Sequence, residues 1–290
     1  MPSKIEWTDE SWNPVVGCSK ISEGCKNCYA EKMACRLAHM GHQAYQDVTG
    51  YRDGNFYAEW NDDTDIVDGA FEKPLKWKKP RRIFVCSMGD LFHRNVGYEA
   101  QKRVFEIIRC SVTVYSLNHT FMILTKRPES MQAFFSKLQN DKGPDFNRWP
   151  LPNVWLGVTA ENQIRADERI PVLLEIPAKV RFVSVEPMLG PVDLASWFPH
   201  YLDFSYTTDP ARLDWVICGG ETGPGARPMQ TEWARNLQQK CEIANVPFFF
   251  KKHGDSWRKA LGFSPKDPAN HQLDGAIYRE YPDMEDGKRC

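Results

Sequence analysis

FMILTKRPESMQAFFSKLQNDKGPDFNRWPLPNVWLGVT (121–159) holds one complete strand–helix–strand unit. FMILT (121–125) and VWLGVT (154–159) are apolar throughout, without the alternation of a strand that faces water on one side. Between them Met131, Phe134, Phe135 and Leu138 repeat on one face of a helix. A helix linking two fully covered strands is a βαβ crossover, which is right-handed. The same alternation extends outward. IFVCS (83–87), VRFVSVE (180–186), DWVICGG (214–220) and VPFFFKK (246–252) read as further strands. Ala100, Val104, Ile107 and Ile108 form a second helical stripe, and Trp233, Leu237, Cys241 and Ala244 a third. A first strand is expected near Asn13–Gly17. The pattern is that of an α/β protein built as a partial βα barrel, although a doubly wound sheet has the same alternation. In a barrel the reacting groups collect at the carboxyl ends of the strands.

Two kinds of segment interrupt this order. Residues 41–72 are polar and aromatic with Gly and Asp punctuation, and read as an insertion capping the barrel mouth. Residues 187–213 and 253–290 are irregular. The simplest division is a barrel over 1–255 with the insertion 41–72, and a C-terminal extension over 256–290. The 290 residues carry a net charge of −1 and no apolar run of membrane-spanning length, so a soluble, cytoplasmic protein is expected. MPSKIEWTDE (1–10) has no apolar segment behind its charge and does not read as a secretory signal. KPLKWKKPRR (73–82) and KKHGDSWRK (251–259) mix cations with Trp, a combination that suits phosphate contact beside base stacking; a solvated loop and a strand end are the plainer alternatives.

The chemistry lies in WNPVVGCSKISEGCKNCYAEKMACRLAHM (12–40). Six residues separate Cys18 from Cys25 and two separate Cys25 from Cys28, in a loop between a candidate strand and a candidate helix. Tyr29, Met33, Leu37 and Met40 are expected to form that helix's apolar stripe. Nine cysteines in a reducing compartment do not imply a disulfide framework. Thiolates are the ligands of iron–sulfur clusters, and Gly17 and Gly24 let the backbone come close to one. Three thiolates leave one iron of a four-iron cluster without a protein ligand, free to chelate S-adenosylmethionine. Structural zinc is the competing reading, but it favours paired C-x-x-C units or added histidines. Cys35 or His39 would have to supply the fourth ligand, and Cys35 reads instead as a packed helix cysteine.

IEWTDESWNPVVGCSKISEGCKNCYAE (5–31) resembles the opening of a phage- and prophage-encoded family related to radical SAM enzymes. FVCSMGDLFH (84–93), ILTKRPE (123–129), WLGVTAEN (155–162), VSVEPMLGP (183–191), VICGGETGPGARP (216–228) and PFFFKKHG (247–254) follow in the family's order. The ordinary radical SAM motif has a shorter gap between its first two cysteines and an aromatic residue before the third. Here Asn27 precedes Cys28, and Tyr29 follows it. The resemblance implies a partial TIM-like (βα)6-type barrel, a [4Fe-4S] cluster on Cys18, Cys25 and Cys28, and S-adenosyl-L-methionine cleaved to a 5′-deoxyadenosyl radical. Related enzymes act in thymidine hypermodification. That implies isomerisation of a glycine joined to the thymine methyl carbon through nitrogen into its carbon-linked form, on a base extruded from phage DNA in a bacterial host. An electron donor such as a flavodoxin or ferredoxin follows.

Strand ends supply the expected cofactor contacts. Ser87, Gly89 and Asp90 follow the second strand, with Asp90 placed to accept from the methionine amino group. Thr125 and Lys126 end the third strand, Thr159, Glu161 and Asn162 the fourth, Ser184 and Glu186 the fifth, and Gly219, Gly220 and Glu221 the sixth. Lys126 and Arg227 are the expected grips on a substrate carboxylate. His93 and His253 read as structural. Two other functions compete: the same radical chemistry on a peptide or free nucleotide, and a nonenzymatic zinc-stabilised DNA-binding protein.

Overall fold

The structure is a computed structural model that describes residues 5–141, 149–199 and 211–283. Parts of the irregular stretches 187–213 and 253–290 thus lie outside the described residues. The chain divides into two compact units, Met1–Val158 with Glu175–Lys179, and Thr159–Leu174 with Val180–Cys290. Seven parallel strands occur among the described residues, four in the first unit and three in the second. The α/β class with parallel strands and crossover helices is therefore observed.

The first unit runs β1 (Glu10–Trp12), β2 (Val15–Val16), α1 (Tyr29–His39), α2 (Gln43–Gln46), β3 (Thr49–Arg52), β4 (Asn55–Trp60), β5 (Asp65–Ile66), β6 (Arg82–Val85), α3 (Tyr98–Thr113), β7 (Thr120–Thr125), α4 (Pro128–Asn140) and β8 (Val154–Thr159). Its parallel strands lie in the order β1-β6-β7-β8. Ile83 pairs with Glu10 on one side and Phe121 on the other, and Ile123 with Leu156. Every residue of β8 is buried, as the unbroken apolar run requires. Pro128 opens α4 at a position where its missing N–H costs nothing, and Met131, Phe134, Phe135 and Leu138 are its buried face. Phe135 stacks on Trp149 at 4.3 Å and Phe134 on Phe105 of α3 at 5.0 Å.

Two expectations need correction here, the first strand and the buried face of α1. The first parallel strand is Glu10–Trp12, ahead of the expected Asn13–Gly17; Val15–Val16 instead pairs antiparallel with Asp65–Ile66. Arg81, just ahead of β6, pairs with Glu10 at 3.1 Å, so a charged residue occupies a position in β1. The insertion 41–72 contains an antiparallel hairpin of β3 and β4. The face of α1 is also turned. Ala30, Glu31, Ala34 and Ala38 are buried, whereas Tyr29, Met33 and Met40 are 52%, 43% and 63% exposed. Small residues let α1 approach Val16, Val48 and Met88; of the expected stripe only Leu37 packs against this cluster, and Tyr29, Met33 and Met40 are left outside.

The second unit runs α5 (Gln163–Glu175), β9 (Val180–Val185), β10 (Trp215–Gly219), α6 (Thr231–Ile243), β11 (Phe248–Lys252) and α7 (Asp255–Ala260). Its strands lie in the order β9-β10-β11, with Ile217 opposite both Ser184 and Phe249. The chain after α7 returns to these strands. The Phe250 N–H donates to the Tyr278 carbonyl at 2.9 Å, and the Trp215 indole to the Glu280 carbonyl at 2.8 Å.

Candidate functional site

The cysteine loop of the first unit is joined by its backbone to the loop after β6. Asn13 Oδ1 accepts from Ser87 Oγ at 3.2 Å and from the Met88 N–H at 3.1 Å. The Gly17 N–H donates to the Met88 carbonyl at 3.1 Å, and Gly17 bridges Gly89. Both positions require glycine. Gly17 has φ +89°, and a Cβ there would strike the Asp63 carbonyl oxygen; a Cβ at Gly89 would lie 2.8 Å from the Gly17 carbonyl oxygen. Between β6 and this loop, buried Cys86 sits in the left-handed region at φ 59°, which a residue with a side chain occupies only under constraint.

Cys18 follows Gly17 directly. Cys25 ends a short 3-10 turn, Glu23–Cys25, with Ser22 Oγ 3.8 Å from its sulfur. Cys28 is the residue before α1. All three thiols are half-buried. Tyr29 ties the start of α1 to the β6 loop, its hydroxyl donating to the Ser87 carbonyl at 2.6 Å.

Arg127, just past β7, reaches this loop. Its Nη1 donates to Asp90 Oδ2 at 2.8 Å and to Cys18 Sγ at 3.5 Å; its Nη2 donates to the Ser19 carbonyl at 2.9 Å and Ser19 Oγ at 3.0 Å. Asp90 also accepts from Thr125 Oγ1 at 2.8 Å, the Phe92 N–H at 3.0 Å and the Lys126 N–H at 3.4 Å. Ser19 Oγ lies 2.8 Å from His93 Nε2. Because His93 Nδ1 accepts the Asn95 N–H at 3.2 Å, Nε2 carries the proton and donates to Ser19. This tautomer cannot take a proton from Ser19, so the pair is not a hydrolase dyad.

The electrostatics are those of thiols that need positive company. Burial pushes the Cys18 thiol up to about 12 and Asp90 adds to this, while Arg127 acts in the opposite direction. Burial also raises Cys28, against the N–H groups of Glu31 and Ala30 at the start of α1 and the charge of Lys126. A thiolate at either position therefore gains from a bound metal. Among the described residues no three His, Cys, Asp or Glu side chains converge as one ion requires. A four-iron cube gives each thiolate its own iron, so its ligands stand further apart than those of a zinc ion. Cys35 belongs to other contacts: its thiol donates to the Phe56 carbonyl of β4 at 3.5 Å.

The remaining sequence-derived residues lie in the second unit, mostly at the carboxyl ends of its strands. Glu161 is paired with Arg169 at 2.8 Å, and Arg169 also donates to the Thr159 carbonyl. The Ala160 N–H donates to the Ser184 carbonyl at 3.0 Å. Glu186 pairs with Lys251 at 2.5 Å, beside Gly219. A Cβ at Gly220 would strike the His253 carbonyl oxygen. Glu221 accepts from Arg227 through the backbone N–H at 2.8 Å and Nε at 2.9 Å, so Arg227 is already gripping a carboxylate.

Within the first unit the structure thus brings Ser87, Gly89, Asp90 and Lys126 to the cysteine loop. Sequence reasoning missed Asn13, Ser19 and Arg127. The one signal for Arg127 was its place in TKRP (125–128), where three polar residues end a strand and only side-chain direction chooses among them. The two basic segments are placed as follows by their neighbouring strands. Residues 73–82 run into the first residue of β6 and so lie at its amino end, opposite Cys86–Asp90. There Trp77 has Lys73 at 5.5 Å and Arg81 at 5.8 Å over its ring. In 251–259, Lys251 and Arg258 are spent on Glu186 and Asp255, and Trp257 stacks on His253 at 3.9 Å.

The profile of a family described as "Protein of unknown function (DUF5131)" matches residues 2–282. No curated protein and no solved structure matches the chain.

Proposed function

We propose that this chain, which belongs to the DUF5131 family of proteins of unknown function, is a radical SAM enzyme that holds a [4Fe-4S] cluster on Cys18, Cys25 and Cys28. The observation that carries this is the loop itself. Three half-buried thiols lie within one segment; burial holds Cys18 and Cys28 toward the neutral form, and Arg127 at Cys18 and the N–H groups at the start of α1 at Cys28 oppose it only in part, so a bound iron would supply the remaining positive charge. When bound with S-adenosyl-L-methionine, such a cluster supplies one-electron cleavage of a carbon–sulfur bond. The chain's own part is to hold the cluster and to leave one iron without a side-chain ligand. Asn13, Gly17 and Gly89 fix the loop against the end of β6. Asp90 is surrounded by four donors and acts by orienting Arg127. Lys126 forms no ion pair among the described residues and bears on Cys28, so its ammonium is the group available to a cofactor or substrate carboxylate. Closure of the parallel strands into a partial TIM-like barrel belongs to the same reading.

The substrate reading is supported by the resemblance of the ordered motifs. It is a thymine in DNA that carries a glycine on its methyl carbon through nitrogen, with a flavodoxin or ferredoxin as electron donor. Anaerobic reconstitution with iron and sulfide tests the cofactor reading. The wild type is expected to turn brown, bind close to four irons per chain and cleave S-adenosylmethionine when reduced. Cys18→Ala, Cys25→Ala and Cys28→Ala should each lose cleavage, and Cys35→Ala should keep most iron. A colourless protein with one zinc per chain would sink the proposal, and equal iron loss in all four variants would replace the open iron by a four-ligand site.

A further inference from the structure

Arg127 is not a ligand in the reading above, yet it is the only cation among the described residues shown donating to one of the three thiols. Its guanidinium is clamped on every side. One nitrogen serves both Asp90 and Cys18, and the other serves the Ser19 carbonyl and hydroxyl. Ser19 Oγ is itself held by the His93 Nε2–H, and Asp90 by Thr125 and the Phe92 N–H. The side chains of Arg127 and Asp90 are only 11% and 7% exposed, so solvent and salt screen them little. A planar fork is needed for this, since an ammonium at the same place cannot serve all four acceptors.

A hydrogen bond to a ligating sulfur withdraws electron density from it, and a fixed positive charge nearby favours the more negative, reduced state of a cluster. Both raise the reduction potential, which is set by net charge, hydrogen bonds to sulfur and exposure. A fixed carboxylate at the same distance acts in the opposite sense. We infer that Arg127 and Asp90 are a positioning pair that sets the reduction potential of the cluster through Cys18, with Arg127 raising it and Asp90 lowering it. This inference rests on the cluster reading.

The test is a dithionite titration of the reconstituted full-length protein, followed by electron paramagnetic resonance, with iron and sulfide counted per chain. Arg127→Met is expected to lower the midpoint potential and to weaken iron retention. Asp90→Asn keeps the side chain's shape, and Arg127 stays tethered to Ser19; it is expected to raise the potential. Arg127→Lys should fall between the wild type and Arg127→Met. Opposite shifts are the signature, because a merely structural role of the ion pair is lost equally from either side and would move both variants in one direction. Shifts of the same sign, or no shift in either variant of a protein that titrates normally as wild type, would overturn the inference and leave the cluster reading intact. If Arg127→Met does not fold, Asp90→Asn alone decides: an upward shift supports the inference and an unmoved or lowered potential ends it. A wild type that binds no iron removes both readings before any variant is compared.

Discussion

Glu161 is fully buried and Arg169 nearly so, and their ion pair in the second unit is closed by a second donation from Arg169 to the Thr159 carbonyl. A buried pair of this kind adds little over an apolar pair of the same shape, because both charges lose their water. Breaking it from one side is different, since the surviving buried charge loses its ion-pair partner without regaining water. Arg169→Met is therefore expected to destabilise the protein by about 3–5 kcal/mol. Glu161→Gln, which leaves a neutral amide facing Arg169, should cost less, about 1–3 kcal/mol. Urea unfolding of both variants against wild type measures the difference, and equal losses would show that the carboxylate's charge is immaterial there. From sequence, Glu161 looked like a ligand-facing strand-end acid. Arg169 lies two helical turns further on, and nothing local says which acid it turns toward.

At the scale of the element, α1 is the support on which the third thiol stands. Its inner face is alanine at 30, 34 and 38, with buried Glu31 accepting the Trp60 N–H at 3.2 Å and pairing with Lys20 at 3.1 Å. That close approach leaves no room for a larger residue. Ala34→Leu is expected to cost about 1–3 kcal/mol through overpacking and, by displacing the residue before the helix, to reduce iron retention at Cys28. Met33→Lys, on the 43% exposed face, should change stability by no more than about 0.5 kcal/mol. Thermal unfolding and iron content of the two variants decide between this face and the one the apolar residues suggest. If Met33→Lys proves the more damaging, the helix is turned the other way.

For the whole molecule the histidines set the acid response. His93, His119 and His253 are all held below their ordinary value of 6.5, in each case chiefly by burial. The unfolded chain therefore binds more protons than the folded one just below pH 6.5, and stability rises with pH through that window. It is fully present above 6.5 and is lost as pH falls toward the lowered folded values. Asp141, Asp193, Asp255 and Asp274 are held below 3.8, so their contribution is lost only in stronger acid. The melting temperature of the metal-free protein is expected to be flat between about pH 7 and 8, to fall as pH drops below 6.5, and to fall again above the ordinary thiol value of 9.0, because buried Cys18 and Cys86 are held protonated in the folded state. His119→Phe and His253→Phe should each make that fall shallower. A melting temperature independent of pH across the window, or one that rises as pH drops, would contradict it.

What the sequence determined by itself was local. An unbroken apolar run is a property of neighbouring residues, so VWLGVT (154–159) coincides with β8 to the residue and Met131, Phe134, Phe135 and Leu138 are the buried face of α4. The spacing of Cys18, Cys25 and Cys28 is local in the same way, and together with the resemblance of the ordered motifs it is what the proposed cluster rests on. β1 was misplaced because it is three residues long with Glu10 in it, too short and too polar to show a period. The outward face of α1 was misread because hydrophobicity was taken for burial, whereas the neighbouring elements admit only small side chains. Arg127 and Cys18 are 109 positions apart. Only the pairing of β1, β6 and β7 side by side brings the loop after one strand to the end of another. A guanidinium has no sequence signal for the thiol it will meet, because that contact is made by strand order and side-chain direction, which exist only once the chain has folded.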